Sequence, residues 1–110
     1  MRRTSLVLLL ALASSAQATD TRYPLVVSFG SVCCGIDHNA EARVKDAIAR
    51  HEQQTGQKIS QQRRYWGKEG EINLCISPKT ATAALEASLR RATEGATATT
   101  VHRNAPCDGR

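Results

Sequence analysis

The sequence has few of the residues that build a large hydrophobic core. Its 110 residues include one Phe, one Trp and two Tyr. Its longest apolar stretch, residues 6–13, is far shorter than the ~20 residues that an α-helix needs to cross a bilayer. A chain of this length has room for one domain. The composition therefore excludes a multidomain protein and a membrane channel.

The first 18 residues have the pattern of a secretory signal peptide. Arginines at positions 2 and 3 precede the apolar stretch of residues 6–13, and the small-x-small triplet at 16–18 is typical of a cleavage site. We expect export to the periplasm or the medium with cleavage before Thr19. The next residues contain no cysteine for a lipid anchor, so we expect no membrane anchor.

The expected mature segment has a modest charge and a thin core. Residues 19–110 carry 13 Lys and Arg against 10 Asp and Glu, a formal charge of +3, which is too weak to indicate a nucleic-acid partner. Only 15 of these 92 residues are Leu, Ile, Val or Phe, a fraction below the roughly 20% at which disorder becomes an alternative. The apolar residues are nevertheless periodic, which favours a folded domain. Four cysteines in an exported chain predict disulfides that reinforce it.

Hydrophobic periodicity predicts strands and helices in the order strand, helix, strand, strand, helix, strand. The predicted elements are a strand around 25–29, a helix at 38–55 capped by Asp37 or Asn39 and ended by Gly56, strands at 58–66 and 71–76, a helix from Ser77-Pro78 to Gly95, and a strand at 97–101. This is the split βαβ motif. We therefore predict a ferredoxin-like α+β domain (βαββαβ) over residues 19–103, with a polar tail at 104–110. Its four-stranded antiparallel sheet would have the spatial order fourth, first, third, second, and both helices on one face.

Two adjacent cysteines, Cys33 and Cys34, lie between the first strand and the first helix. The order of elements and the position of this pair are similar to those of heavy-metal-associated domains. Those domains carry Met-x-Cys-x-x-Cys, whereas this chain has Gly-Ser-Val-Cys-Cys-Gly at 30–35. The resemblance implies a soft-metal site for Cu or Zn at the two cysteines. His38, four residues beyond Cys34, is a candidate further ligand by its position. The compartment favours a structural disulfide and no cofactor, and a redox-active or vicinal disulfide is the third alternative.

The pairing of the cysteines follows from the expected position of Cys75. Its neighbours Ile72, Leu74 and Ile76 would face the core, so Cys75 would face away from the helices. If the first and third strands are parallel neighbours, their carboxyl ends lie at the same edge of the domain. Cys75 would then lie near the Cys33-Cys34 loop. We therefore predict at least one disulfide between that pair and Cys75. The remaining cysteine would reach Cys107 if the tail folds back.

The segment Arg63-Arg64-Tyr65-Trp66 is the most suggestive surface of the sequence. Arg, Tyr and Trp are enriched at interface hot spots, and the edge strand that carries them could accept a partner's strand. Strand alternation puts Arg63 and Tyr65 on the side of Ile59, and Arg64 and Trp66 on the other side. We expect these four residues to bind another protein.

No motif of a hydrolase or a phosphate-binding loop is present in the sequence. His51 lies on the apolar stripe of the first helix, where a hydrogen-bonded core histidine is the usual occupant. We therefore expect a non-catalytic, exported binding or accessory protein with mainly structural cysteines. A thiol redox or soft-metal-binding protein is the alternative. A secreted protease inhibitor is a second alternative, by fold analogy alone.

Overall fold

A computed structural model describes residues 21–108. The elements, in chain order, are β1 (Arg22–Phe29), α1 (His38–Thr55), β2 (Gln61–Tyr65), β3 (Ile72–Ile76), α2 (Ala83–Ala92) and β4 (Thr99–Pro106). They form one sheet in the order β2-β3-β1-β4 with antiparallel neighbours throughout. The predicted ferredoxin-like α+β fold and its strand order are confirmed. The predicted signal peptide, residues 1–18, lies outside the described residues.

One face of the sheet packs against both helices and forms the main core. Leu25, Val27 and Phe29 alternate along β1 toward this face, and the odd-even pattern continues on the paired strand β3. The buried residues of this core are Leu25, Val27, Phe29, Ile36, Ala40, Val44, Ile48, Ile59, Ile72, Leu74, Ile76, Leu85 and Leu89. The opposite face of the sheet, called the open face below, carries no helix among residues 21–108.

The ends of α1 follow the sequence signals, and the start of α2 does not. Asp37 caps α1 by accepting a hydrogen bond from the Ala40 amide at 3.0 Å, and Gly56 ends it with a φ of 71°. α2, however, begins at Ala83 with Thr82 as its cap. The predicted start at Ser77-Pro78 was wrong because residues 77–80 form a hydrogen-bonded turn, and proline suits a turn as well as a helix start.

The directions of β1 and β3 correct a second expectation. The two strands are neighbours, as predicted, but they are antiparallel, with Val26 opposite Cys75. The α1 crossover makes β2 parallel to β1, and the β2–β3 hairpin then reverses the chain between them. Cys75 therefore lies beside the middle of β1. The Cys33-Cys34 loop follows the far end of that strand, opposite the start of β3.

Candidate functional site

β2 is an edge strand whose side chains are all exposed. Within residues 21–108 it pairs with β3 alone, and each of its five residues is solvent-exposed. Tyr65 is 67% exposed, and Trp66, which follows the strand, is 40% exposed. Large aromatic side chains at such exposure on an unpaired edge are unusual for a free surface, because edges are normally protected against strand addition.

Arg63 and Tyr65 lie on the helix-covered side of β2, as alternation predicts. The Arg63 guanidinium is 3.2 Å from the Glu41 carboxylate of α1 and lies 5.9 Å from the centre of the Tyr65 ring, within cation–π range. Partial burial opposes ionisation of Glu41, but hydrogen bonds from Arg63 and His38 lower the pKa of this carboxyl below its usual value. Arg63 is therefore engaged by Glu41 and by Tyr65, whereas most of the Tyr65 side chain remains exposed.

Arg64 lies on the other side of β2, where the C-terminal segment crosses the open face. We call residues 105–108 the C-terminal strap. Cys107 of the strap is disulfide-bonded to Cys75 of β3, with a Cα–Cα distance of 5.8 Å, and both residues are buried. Asp108 then reaches the β2 edge, 3.4 Å from the Arg64 guanidinium. The strap thus spans the sheet from β4 to β2, and residues predicted to be a polar tail belong partly to β4 and partly to this crossing.

A groove of about 290 Å³ lies on the open face between Trp66 and the strap. Its lining is mixed, with one aromatic ring, apolar groups from β1 and the strap, and several polar side chains. The lining residues are Val26, Ser28, Trp66, Asn73, His102, Ala105, Pro106 and Asp108. Ligand sites have this combination of apolar surface with a few polar groups, although this groove is at the small end of their range.

Asn73 is the distinctive polar group of this groove. It is 5% exposed, and its Nδ2 donates to the Cys107 carbonyl oxygen at 2.9 Å. Because a carbonyl oxygen only accepts hydrogen bonds, the Asn73 side-chain atom that faces Cys107 must be the nitrogen Nδ2. The other polar atom of the side-chain amide is therefore the oxygen Oδ1. Oδ1 is buried without a hydrogen-bond partner among the described residues. An orphaned buried acceptor costs about 1–3 kcal/mol, so a donor supplied at this groove would be favourable.

The loop between β1 and α1 contains the second disulfide, Cys33–Cys34. The predicted bridge from this pair to Cys75 was wrong, because the antiparallel direction of β3 separates them. Both cysteines and Val32, which is 75% exposed, are at the surface. His38 lies 3.3 Å from the Glu41 carboxylate. Within residues 21–108, no group of three or more His, Cys, Asp or Glu side chains is placed to hold a metal ion.

Two site residues escaped the sequence analysis for different reasons. Strand alternation turns Asn73 outward, but its burial depends on the strap, which local periodicity does not predict. The position of Glu71 beside the hairpin loop suggests a solvated carboxylate. It is instead buried and accepts the Glu69 amide at 2.8 Å, while the Trp66 amide donates to the Glu71 carbonyl at 3.1 Å. Glu71 thus holds the hairpin that positions Trp66.

Comparisons with known proteins do not assign this chain to a family. Across residues 21–108, no helix is both long enough and apolar enough for a membrane span. No family model matches the chain, and neither curated proteins nor solved structures give a match.

Proposed function

We propose that the protein is an exported, non-catalytic binding or accessory module that captures a partner protein at the β2 edge and the adjoining open face. The observation that carries the proposal is the exposure of Tyr65 and Trp66 on an unpaired edge strand. The neighbouring groove supports it, because Asn73 lines this groove and its Oδ1 has no hydrogen-bond partner among residues 21–108.

The chemistry of the edge suits an extended peptide segment. The outer backbone groups of β2 face no strand among residues 21–108, so a partner strand could pair with them as a fifth strand of the sheet. Alternate side chains of that strand would then lie on the Tyr65 side and the Trp66 side. Backbone pairing would supply affinity, and the two aromatic residues would supply selectivity.

Arg64 gives the site a preference for an acidic partner. Its present ion pair with Asp108 joins two exposed side chains, with 51% and 80% of their surfaces accessible. Such a pair contributes at most about 1 kcal/mol. A partner carboxylate on the Trp66 side could therefore replace Asp108 at little cost. The two outward groups, one aromatic and one guanidinium, are of the types that dominate protein interfaces.

The two disulfides support the proposed export. Cys33–Cys34 and Cys75–Cys107 account for all four cysteines, and disulfides persist in the periplasm and outside the cell but are rare in reducing compartments. The N-terminal residue of protein purified from the periplasm or the medium tests export directly. N-terminal sequencing should begin at or near Thr19, and an intact Met1 would contradict the proposal.

Peptide selection on the exported protein tests the binding site. Linear peptides would be selected from a displayed library and their dissociation constants measured with wild type, Trp66→Ala and Arg64→Ala. Burial of the exposed part of Trp66 removes about 100 Å² from water, or about 2.5 kcal/mol. Trp66→Ala should thus weaken binding by about ten-fold to a hundred-fold.

The matched control is Val32→Ala, which removes an exposed apolar side chain from a different loop and should leave binding unchanged. Amide chemical-shift changes on peptide addition should concentrate in residues 61–66. Equal losses in Trp66→Ala and Val32→Ala, or shifts confined to other elements, would overturn the proposed site. Unchanged circular dichroism spectra would confirm that the variants remain folded.

The exposed Cys33–Cys34 disulfide favours one second candidate, a thiol–disulfide exchange protein. In that reaction the disulfide accepts two electrons and two protons from a substrate dithiol, which becomes a disulfide, and both cysteines become thiols. An exposed position makes a disulfide accessible to an attacking thiolate. Reduced insulin chains should then be oxidised stoichiometrically by wild type and not by Cys33→Ser/Cys34→Ser. Equal behaviour of the two proteins would eliminate this candidate.

A further inference from the structure

The helical layer contains a cleft that is separate from the open face. It lies between α1 and α2 and has a volume of about 480 Å³. From α1, the cleft is lined by Arg43 and Arg50, which are seven positions apart, and by His51. From α2, it is lined by Ser88 and Arg91. Positions seven apart lie on the same side of a helix, so the two α1 arginines face the cleft together.

Small side chains leave room for a ligand between the helices. Ala47 of α1 and Ser88 and Ala92 of α2 line the cleft, where larger residues would fill the space. The Arg43 Nε donates to the Ala92 carbonyl at 2.8 Å, which fixes this guanidinium across the gap between the helices. The cleft is thus lined by a positioned cation and not only by mobile surface side chains.

The charges of the cleft are strongly unbalanced. Three arginines line it against one carboxylate, that of Asp46, which is 3.1 Å from Arg50. Among residues 21–108, Arg43 and Arg91 have no carboxylate within 4.0 Å. Arg91 instead donates to the Ser88 hydroxyl at 3.3 Å. Four other arginines among residues 21–108 lie beside carboxylates: Arg63 beside Glu41, Arg64 beside Asp108, and Arg90 and Arg103 beside the shared Glu86. Arg22 instead donates to the Asn104 carbonyl oxygen.

His51 also lines the cleft. It is 8% exposed, as expected for a core histidine, and its backbone carbonyl accepts a hydrogen bond from the Thr55 hydroxyl. The expected hydrogen bond to the ring is absent among residues 21–108, but the ring nitrogens are not among the fully buried unpartnered atoms of these residues. The ring is therefore open to solvent in the cleft, where a ligand would reach it.

We propose that the cleft between α1 and α2 binds a tetrahedral oxyanion, namely a phosphate group. The planar guanidinium of Arg91 and the free nitrogens of Arg43 would donate to its oxygens, an arrangement that arginine makes in bidentate form. The His51 ring, which lines the same cleft, would donate a further hydrogen bond. The bound group is either inorganic phosphate or the phosphate of a phosphomonoester, since both present the same oxygens.

Titration of the exported protein with inorganic phosphate tests the site. Amide and imidazole resonances would be followed at constant ionic strength, with a second series using glycerol 3-phosphate to distinguish the two sources. Saturable shifts should concentrate in residues 43–54 and 88–92, and the His51 ring resonances should move with the same dissociation constant. The source that binds more tightly identifies the natural class of ligand.

Two variants that each remove one positive charge distinguish a specific binding site from nonspecific electrostatic attraction. Arg91→Gln should weaken phosphate binding about ten-fold or more, because it removes a charge-assisted hydrogen bond. Lys68→Gln removes the same charge from the β2–β3 loop and should leave the dissociation constant unchanged. Equal weakening in both variants, absence of saturation, or unmoved His51 resonances would overturn the proposal. His51→Phe, which keeps a ring of similar size, should also weaken binding and provides a second variant should Arg91→Gln fail to fold.

Discussion

Removal of the Cys75–Cys107 disulfide should destabilise the protein far more than removal of Cys33–Cys34. The first bond joins residues 32 positions apart, and a loop of that length corresponds to about 4 kcal/mol of restricted entropy in the unfolded chain. The second joins adjacent residues and closes essentially no loop. Both variants lose one disulfide and two sulfur atoms, so the difference between them isolates the cross-link.

The experiment is guanidinium unfolding of Cys75→Ala/Cys107→Ala and Cys33→Ala/Cys34→Ala. For a protein of this size the free energy of unfolding falls by about 3 kcal/mol per molar guanidinium. The Cys75→Ala/Cys107→Ala variant should therefore unfold at a denaturant concentration lower by about 1–2 M. The Cys33→Ala/Cys34→Ala midpoint should stay close to that of wild type.

Reduction of the wild type provides the control for the lost side-chain volume. Reduced wild type keeps all four sulfur atoms and should unfold near the Cys75→Ala/Cys107→Ala variant. If the two variants lose equal stability, or if Cys75→Ala/Cys107→Ala loses less than about 1 kcal/mol, the loop-closure reasoning is refuted. In that case the strap would be held by packing and by the hydrogen bond from Asn73 to the Cys107 carbonyl.

Three further predictions concern the fold. Phe29→Ala empties a site that is 2% exposed in the main core and should cost about 3–5 kcal/mol in the same unfolding assay; a loss below about 1 kcal/mol would contradict that burial. Gly56→Ala places a Cβ at a φ of 71° with open space around it, so backbone strain alone should cost about 1 kcal/mol, and an increase in stability would contradict the left-handed cap. Amide hydrogen bonds from Thr97, and to a smaller extent from Ala40, lower the pKa of Asp37. Ionised Asp37 therefore stabilises the fold fully at pH values above the ordinary aspartate pKa. This contribution is lost as the pH falls through the lowered pKa. Asp37→Asn keeps a capping oxygen and should reduce the fall in Tm as the pH drops below about 4; an unchanged pH profile would refute this assignment.

Local signals explain what the sequence predicted well. The 3.6-residue period of α1, its Asp37 cap and the Gly56 stop depend only on neighbouring residues, and the structure has that helix within the predicted bounds. The two-residue period of β1 and β3 likewise indicated which side chains reach the core. Alternation along β2 also assigned Arg63 and Arg64 to opposite sides of the sheet.

Non-local geometry explains what the sequence did not predict. Periodicity is the same for a strand in either direction, but the predicted antiparallel sheet already required adjacent β1 and β3 to be antiparallel, as they are. The parallel direction assumed for the cysteine pairing was inconsistent with that sheet. The Cys33/Cys34-to-Cys75 bridge depended on that direction and failed with it. The strap is irregular after Pro106 and is placed by its cross-link to β3. The burial of Asn73 follows from that placement, as does the groove beside Trp66.

The disulfide connectivity has a consequence for oxidation of the chain under the proposed export. The bonds join the first cysteine to the second and the third to the fourth, Cys33–Cys34 and Cys75–Cys107. A chain that crosses a membrane N-terminus first presents its cysteines in that same sequence. An oxidant that joins each thiol to the next to emerge would therefore generate the native bonds directly, and the protein would mature without a disulfide isomerase.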